Sequence, residues 1–310
     1  MRHIDAINTT LKNLMTKNSD LYIIGEDIID PYGGAFKVTK NLSSLFPDRV
    51  LSTPISEAAI IGFGSGMAMN GKKIIVEIMF GDFLSLGFDQ ILNNVSKFKW
   101  LYNDIKMPLI IRAPMGGYRG YGATHSQSIE KHFCGIPNLN VLSLDRYSDI
   151  NNMFVNSLKS ETPTLIIENK TLYSMEQKKK KDLPLYEKPD VICISYGGVL
   201  DICVECSKEI LEEEEINVSV YNINSLNPFE KEKILKLSKL SKNFLFAEEG
   251  CGDWGFSEMC SSSLIGVNDL NITTIKGPNH PIPSSKKWEN EVLPNKKKIK
   301  KAIIDLYKAK

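Results

Sequence analysis

The sequence predicts an α/β protein with two domains, each built on a parallel β-sheet. Short apolar runs rich in β-branched residues alternate with helical patterns, which is typical of parallel sheets covered by helices on both faces. The chain has 310 residues, enough for two hydrophobic cores. A run of lysines at 178–181 interrupts the alternation and indicates a solvated linker. We therefore expect a first domain over residues 1–176, a linker over 177–187 and a second domain over 188–310.

The elements of both domains follow from the positions of the apolar runs. Helices are predicted where apolar residues recur every three to four positions, and strands where short runs rich in apolar residues lie between helical patterns. For the first domain we predict helices over 4–17, 57–69 and 83–100, with strands over 21–25, 73–78, 108–112, 139–142 and 164–168. For the second domain we predict strands over 191–195, 218–221 and 243–247. One helix follows the first of these strands and ends at about residue 215, a second covers 229–240, and a third lies at the C-terminus.

The C-terminal helix has a strongly basic face. Its apolar positions Ile299, Ile303 and Leu306 lie on one side, and lysines occupy the other. We expect this lysine face to be solvated while the apolar side packs on the domain. Attachment to a membrane or to an acidic partner is the alternative use of such a face.

Composition excludes several classes of function. The net charge of +1 gives no overall field for nucleic acid. No apolar run approaches the roughly 20 residues that span a bilayer, so no membrane segment is expected. The six cysteines are scattered, which predicts a reducing, cytoplasmic setting rather than a disulfide framework. Cys203 and Cys206 have redox-pair spacing but no second pair or nearby histidines, and we interpret them as helix core.

Glu57 is the first candidate for chemistry. It begins a helix directly after a short extended segment, where the helix dipole favours an anion and Ser56 can act as N-cap. Helix capping alone could therefore explain this carboxylate. However, ligands of open α/β sheets bind where strands end, and Gly62 and Gly66 lie four residues apart on this helix. That glycine face would admit the close approach of another backbone, so we expect an interface beside Glu57.

His125 is the second candidate. It follows a loop with glycines at 116, 117, 120 and 122, which matches no phosphate-binding pattern. Histidine titrates near neutral pH, and Thr124, Ser126 and Gln127 could orient the ring. An exposed loop histidine without a chemical role is the plainer interpretation.

Seven motifs in register add a family resemblance. Together they resemble the beta subunits of thiamine-diphosphate-dependent 2-oxo acid dehydrogenases of the pyruvate, branched-chain and acetoin types. The resemblance is strong over residues 1–175 and continues more weakly to the end of the chain. The motifs are Gly25-Glu26-Asp27, Gly33-Gly34-Ala35-Phe36-Lys37-Val38, Asp48-Arg49-Val50, Thr53-Pro54-Ile55-Ser56-Glu57, Phe88-Asp89-Gln90, Arg112-Ala113-Pro114 and His125-Ser126-Gln127-Ser128.

The resemblance implies a fold, a cofactor and roles for these residues. The fold would be a thiamine-diphosphate-binding, transketolase-like pyrimidine domain followed by a transketolase C-terminal-like α/β domain. Glu57 would hold a proton at N1′ of the cofactor's aminopyrimidine ring. Phe83 would face that ring, and Ile55 and Met79 would complete its pocket. His125 would assist acyl transfer to a lipoyl group at the channel mouth.

The resemblance also implies half an active site. Family members are alpha2-beta2 heterotetramers in which the alpha subunit holds the diphosphate and Mg²⁺, and this sequence has no motif for either. A lipoyl acyltransferase would be a further partner, and a small 2-oxo acid the substrate. A potassium ion would bind near Leu109, Ser157, Leu158, Ser160 and Thr162, although Ser160 and Thr162 replace the acidic and amide residues that are usual there.

Two alternatives remain beside the dehydrogenase interpretation. The chain could be the C-terminal half of a split transketolase, or serve a related stand-alone thiamine-diphosphate carboligase. The segments 122–125 and 136–139 favour a transketolase, but Ala58 stands where that family usually has a glutamine after the glutamate. A non-catalytic stabilising subunit is the other alternative, and the presence of Glu57, Phe83 and His125 argues against it.

Overall fold

Two β-sheets organise the part of the chain that the structure describes. The structure is a computed structural model, and it describes residues 1–102 and 105–309. The strands are β1 Leu21–Gly25, β2 Val50–Ser52, β3 Lys73–Glu77, β4 Leu109–Met115, β5 Asn140–Ser143, β6 Thr164–Asn169, β7 Val191–Ser195, β8 Val218–Asn222, β9 Ser225–Asn227, β10 Asn243–Cys251 and β11 Asn271–Gly277.

Helices cover the faces of both sheets. The α-helices are α1 His3–Lys17, α2 Leu42–Leu45, α3 Glu57–Met69, α4 Phe98–Leu101, α5 Lys131–Cys134, α6 Ile150–Lys159, α7 Gly197–Glu214, α8 Lys231–Leu237, α9 Phe256–Ser262, α10 Lys286–Val292 and α11 Lys296–Lys308. Short 3₁₀ segments lie at Ala35–Lys37, Gly81–Gly87, Leu172–Ser174 and Lys180–Asp182, and a π-helix spans Gln90–Val95.

The first sheet has seven strands in the order β2-β1-β3-β4-β6-β5-β9. All of its pairs are parallel except β5 with β9. Strands β4 and β6 at its centre are buried along their whole length, as expected for a sheet with helices on both faces. The second sheet is parallel throughout, in the order β11-β10-β7-β8. The predicted α/β class with parallel sheets is confirmed.

The second half of the chain contributes a strand to the first sheet. Strand β9 runs antiparallel to β5, with Asn227 opposite Val141. The Asn227 side chain donates hydrogen bonds to the carbonyl oxygens of Ile136 and Leu139, at 3.1 and 2.7 Å. The two sheets are therefore joined through backbone pairing as well as through side chains.

The predicted long helix over residues 83–100 is wrong. The chain forms the 3₁₀ segment Gly81–Gly87, the π-helix Gln90–Val95 and the short helix α4 instead. Gly87 packs so closely on α3 that an added Cβ would lie 2.4 Å from Ile61 Cδ1. Because glycine also has low helix propensity, a regular helix is disfavoured here. The prediction for residues 229–240 was also too long, since α8 covers Lys231–Leu237.

The lysine face of α11 is only partly solvated. Ile299, Ile303 and Leu306 are buried as predicted. However, Lys296 and Lys300 form ion pairs of 2.8–3.0 Å with glutamates of α7. Two of the six lysines of α11 are therefore paired with α7. None of the helices in the described ranges is long and apolar enough to cross a membrane.

A buried ion cluster crosses the centre of the first sheet. Arg112 of β4 donates hydrogen bonds to Glu168 of β6 at 2.6 and 2.5 Å, and to Glu77 of β3 on the other side. Tyr173 also donates to Glu168, at 2.6 Å. The three charged side chains are at most 3% exposed. Two carboxylates thus share one guanidinium in a dry interior, just below the ends of the strands.

Candidate active site

Two acidic residues meet at the carboxyl edge of the first sheet. Glu26 directly follows β1, and Glu57 follows β2 after a short loop. These two strands are parallel neighbours with Gly25 opposite Ser52, so their ends lie at the same edge. Ligands of parallel α/β sheets bind at this edge. The chain therefore brings two carboxylates together where a ligand site is expected.

Glu57 is buried without a protein partner. It is the first residue of α3 and is 6% exposed. Within the described part of the chain, no hydrogen bond or ion pair engages its carboxylate. Ser56 occupies the N-cap position as expected, but its side chain accepts no hydrogen bond from the first turn. A carboxylate on a largely buried residue with no protein partner is available to a ligand, so Glu57 has the character of a ligand-binding group.

Glu26 shares the electrostatic environment of Glu57. It is 7% exposed, and its Oε2 atom has no hydrogen-bond partner among the described residues. Burial raises the pKa of Glu26, and the nearby charges of Glu57 and then Asp27 raise it further. Glu26 can therefore take up a proton more readily than an exposed glutamate.

Three rings form a wall beside this edge, and we call Phe80, Phe83 and His125 the ring cluster. The His125 ring meets Phe80 edge-to-face at 4.9 Å between centroids and Phe83 at 5.2 Å. Phe80 and Phe83 lie 5.8 Å apart in the same arrangement. Such contacts favour one ring orientation. Two residues singled out from the sequence, Phe83 and His125, are thus in direct contact.

The remaining predicted pocket residues lie on the loops around these groups. Met79 follows β3 and is partly buried. Ile55 precedes α3 and is 78% exposed. Gly87, at the end of the segment that carries Phe83, packs on the first turn of α3, where an added Cβ would lie 3.5 Å from the Glu57 carbonyl oxygen. The segment with Phe83 therefore lies against the helix that begins with Glu57.

The glycine-rich loop before His125 is held by carboxylates of the second half of the chain. The backbone N–H of Gly117 donates to Glu249, and that of Gly120 donates to Glu289. Asn169 also donates to Glu249, at 2.9 Å. These two N–H groups are consequently occupied, which agrees with the absence of a phosphate-binding motif. Burial raises the pKa of Glu249 to about 7.

Sequence reasoning missed one buried cation of the site. Lys170 follows β6, and its ammonium donates a hydrogen bond to the backbone carbonyl of His125. It is fully buried. A single lysine after a strand has no distinctive pattern, so only the folded chain reveals the contact. Glu26 and Phe80, by contrast, carried a signal, since both closely follow predicted strands.

The residues proposed for potassium lie at the opposite edge of the sheet. Leu109 begins β4, and Ser157 and Leu158 lie in the last turn of α6. Ser160 donates through its hydroxyl to the carbonyl oxygens of Ser157 and Thr162, at 2.9 and 3.2 Å. Two candidate carbonyls thus already accept hydrogen bonds from the protein. Potassium binding here stays a prediction, and no cluster of His, Cys, Asp and Glu suited to a metal occurs among the described residues.

Comparison with protein families covers nearly the whole chain. Residues 1–176 match the family described as "Transketolase, pyrimidine binding domain", and residues 183–299 match "Transketolase, C-terminal domain". The chain belongs to the transketolase-like family. The family resemblance drawn from the motifs is confirmed.

Curated relatives narrow the similarity within this family. The chain is 30% identical to the 2-oxoisovalerate dehydrogenase subunit beta of Bacillus subtilis, over 99% of this chain and 98% of the relative. It is 28% identical to the mitochondrial pyruvate dehydrogenase E1 component subunit beta of Dictyostelium discoideum, over 93% and 86%. It is also 28% identical to the acetoin:2,6-dichlorophenolindophenol oxidoreductase subunit beta of Cupriavidus necator, over 95% and 94%. These three relatives are thus beta subunits of 2-oxo acid dehydrogenases and of an acetoin oxidoreductase.

A solved structure shows the same fold. The chain of a split gene transketolase, described as an inactive beta4 tetramer, matches with a TM-score of 0.80, covering 98% of this chain and 97% of that one. The sequence identity is 19%, so this likeness concerns the fold alone.

Proposed function

We propose that this transketolase-like chain is the beta subunit of a thiamine-diphosphate-dependent enzyme that decarboxylates a 2-oxo acid and passes the acyl group to a lipoyl group. The single observation that carries the proposal is Glu57, a residue only 6% exposed whose carboxylate has no hydrogen bond or ion pair within the described residues. The beta-subunit character of the curated relatives supports the reaction class.

The residues at the strand edge fit the aminopyrimidine end of the cofactor. Glu57 lacks a protein partner, and the N1′ atom of that ring would supply one. Phe83 and Met79 would face the ring with apolar surface, and Ile55 would cover it from the loop before α3. When bound, thiamine diphosphate supplies the electron sink that decarboxylation of a 2-oxo acid requires. The task of Glu57 is to hold a proton shared with N1′.

His125 would act at the entrance of the site. Its ring is partly buried against Phe80 and Phe83, and its Nδ1 lies 3.0 Å from the Thr124 hydroxyl. This contact leaves Nε2 as the ring atom that can hold or release a proton toward an acceptor. We propose that His125 assists acyl transfer in this way.

The rest of the site would come from an alpha subunit in an alpha2-beta2 heterotetramer. That partner would hold the diphosphate and Mg²⁺, and a lipoyl acyltransferase would deliver the acceptor. Exposed apolar residues beside Glu57 support an interface, namely Ile55, Phe63 and Leu86 at 78%, 57% and 61% exposure. Gly66 also opens to solvent, with nothing within 4 Å of an added Cβ, whereas Gly62 faces Gln90. The expected glycine face is therefore open at Gly66 only.

Replacement of Glu57 by glutamine tests the proposal in the complex with the co-purified partner. Glu57→Gln keeps the shape and removes the titrating carboxylate, so kcat for 2-oxo acid decarboxylation should fall about 10²–10⁴-fold, the usual weight of a proton-transfer group. Glu232→Gln, an exposed acid in the first turn of α8, is the matched control and should leave kcat unchanged.

Three outcomes would overturn the proposal in different ways. Full activity of the Glu57→Gln complex would favour the alternative that the chain is a non-catalytic, stabilising subunit. Ketol transfer between sugar phosphates, without 2-oxo acid decarboxylation by the wild-type complex, would favour the split transketolase. Decarboxylation in which a free aldehyde acceptor replaces the lipoyl group would favour a stand-alone carboligase.

A further inference from the structure

A buried lysine connects the ring cluster to the centre of the sheet. Lys170 lies directly after β6, and its backbone N–H donates to the Met115 carbonyl at 3.0 Å, at the end of β4. Its side chain is fully buried, and its ammonium donates to the backbone carbonyl of His125. The histidine therefore lies on a loop whose end is attached to a rigid strand.

The same ammonium also contacts aromatic rings. Its Nζ lies 5.1 Å from the centroid of Phe80 and 5.6 Å from that of Tyr121. Phe80 in turn meets the His125 ring edge-to-face. Cation–π attraction is strongest for cations removed from water, as this one is. Lys170 thus contacts both the backbone of His125 and a ring that fixes the orientation of the His125 side chain.

Arg119 binds the backbone of Lys170. Its guanidinium donates to the Lys170 carbonyl at 2.6 Å and lies 5.4 Å from the Phe36 ring centroid. Phe36 packs against Phe80 at 5.9 Å. Arg119 therefore holds the Lys170 backbone and also contacts Phe36, which packs on the Phe80 ring that the lysine ammonium contacts.

We propose that Lys170 is a positioning residue of the active site, which holds the His125 imidazole against Phe80 and Phe83 by binding the His125 carbonyl. The proposal rests on the proposed function of His125 in acyl transfer. Lys170 needs no contact with substrate or cofactor for this task.

The charge of the lysine matters for this contact. Asp82, Glu249 and Glu289 attract the ammonium, and Arg119 repels it. Burial outweighs the attraction and lowers the pKa of Lys170 to about 8. The ammonium therefore loses its proton as the pH rises through about 8, and the charge-assisted hydrogen bond and cation–π contacts weaken. A guanidinium would keep its charge across this range.

The position of the imidazole can be read without any activity. The full chain has four histidines, so ¹³C-labelled imidazole signals can be assigned with His125→Asn. In Lys170→Met, we expect the His125 signal to leave its ring-current-shifted position and move toward that of exposed His280. Lys170→Arg should restore it, and the matched control Lys276→Met should not move it. An unmoved His125 signal in Lys170→Met would overturn the proposal.

Kinetics of the complex with the co-purified partner provide the second readout. Lys170→Met should lower kcat for acyl transfer about 10–100-fold with little change in KM, because displacement of a reacting group by about 1 Å can cost about 100-fold. Wild-type kcat should decline above about pH 8, and Lys170→Arg should lack that decline. If Lys170→Met does not fold, Lys170→Gln replaces it in both measurements.

The two readouts separate this proposal from the function on which it rests. If Glu57→Gln keeps full activity, the proposed function fails, while the imidazole signals still test Lys170. If the His125 signal moves but kcat is unchanged, Lys170 positions a loop without catalytic consequence, and the positioning proposal is refuted.

Discussion

The buried ion cluster of the first sheet should make the stability of the protein depend on pH. Glu77 and Glu168 share the single cation of Arg112, so the cluster holds more negative than positive charge when all three are ionised. Burial raises the pKa of Glu77 to about 7; Arg112 opposes the shift, and the charge of Glu168 adds to it. Glu77 therefore binds its proton more tightly in the folded chain than in the unfolded chain.

The sign and size of the effect follow from that shift. An acid whose pKa is raised on folding stabilises the folded state at low pH, and this contribution is lost as the pH rises from its unfolded pKa through its folded pKa. A rise from 4.5 to about 7 corresponds to about 3 kcal/mol, at roughly 1.4 kcal/mol for each pKa unit. The free energy of unfolding should therefore lose about 3 kcal/mol through Glu77 between about pH 4.5 and pH 8.

Glu77→Gln is the variant that isolates this contribution. The amide has one acceptor oxygen for the two donors that the carboxylate engages now, Arg112 and the Ala35 backbone N–H, so the variant carries a penalty that does not change with pH. The amide does not titrate, so the variant should be less stable than the wild type near pH 5.5 and should gain on it by about 2 kcal/mol by pH 8.5. Other buried acids contribute equally to the free energies of unfolding of the variant and the wild type, so their contributions cancel when one is subtracted from the other.

Urea unfolding of the full chain, followed by circular dichroism at several pH values, measures the difference. Glu232→Gln, which is exposed on α8, should give curves parallel to the wild type at every pH. A constant difference between Glu77→Gln and wild type across the same range would refute the reasoning.

Other parts of the structure give further predictions. Arg112→Met should destabilise the chain by about 3–5 kcal/mol in urea unfolding, because it leaves two buried carboxylates unpaired; an unchanged urea midpoint would contradict this. Gly34→Ala should cost more than about 1 kcal/mol in the same assay, since φ is +77° and the new Cβ would lie 2.6 Å from Glu77 Oε1; a neutral effect would mean that Glu77 moves aside. The double variant Lys296→Met, Lys300→Met should change the thermal midpoint only slightly, because the ion pairs that these lysines form with glutamates of α7 lie at the surface. Added salt should remove even that change. A large shift in the midpoint that persists in salt would contradict surface pairing.

Local patterns in the sequence were sufficient for the strands and for the helix of Glu57. All eight predicted strands are present, because each is a short run rich in apolar residues. Helix α3 begins and ends where it was predicted, at Glu57 and Met69. Two strands, β9 and β11, were missed, and β2 was indicated only as a short extended segment before Glu57. Strands β2 and β9 have three residues each and depend on neighbours that the local sequence does not reveal, and β11 is a seven-residue strand of mostly polar residues.

In three further cases tertiary packing decided the outcome. The segment around Gly87 would continue a helix by periodicity, but its approach to Ile61 on α3 favours 3₁₀ and π geometry. The Glu249 and Glu289 carboxylates bind the glycine-rich loop from more than a hundred residues away. Lys170 likewise contacts His125 only because the chain folds, and no spacing rule in the sequence could have indicated this hydrogen bond.

The central claim is that this chain carries one half of a cofactor site, with Glu57 at its centre. Calorimetric titration of thiamine diphosphate with Mg²⁺, into the isolated full chain and into the complex with its co-purified partner, tests this most directly. We predict micromolar binding to the complex, weakened by Glu57→Gln, and no micromolar binding to the isolated chain. Micromolar binding by the isolated chain would contradict the half-site, and equal binding by the wild-type and Glu57→Gln complexes would contradict the role of Glu57.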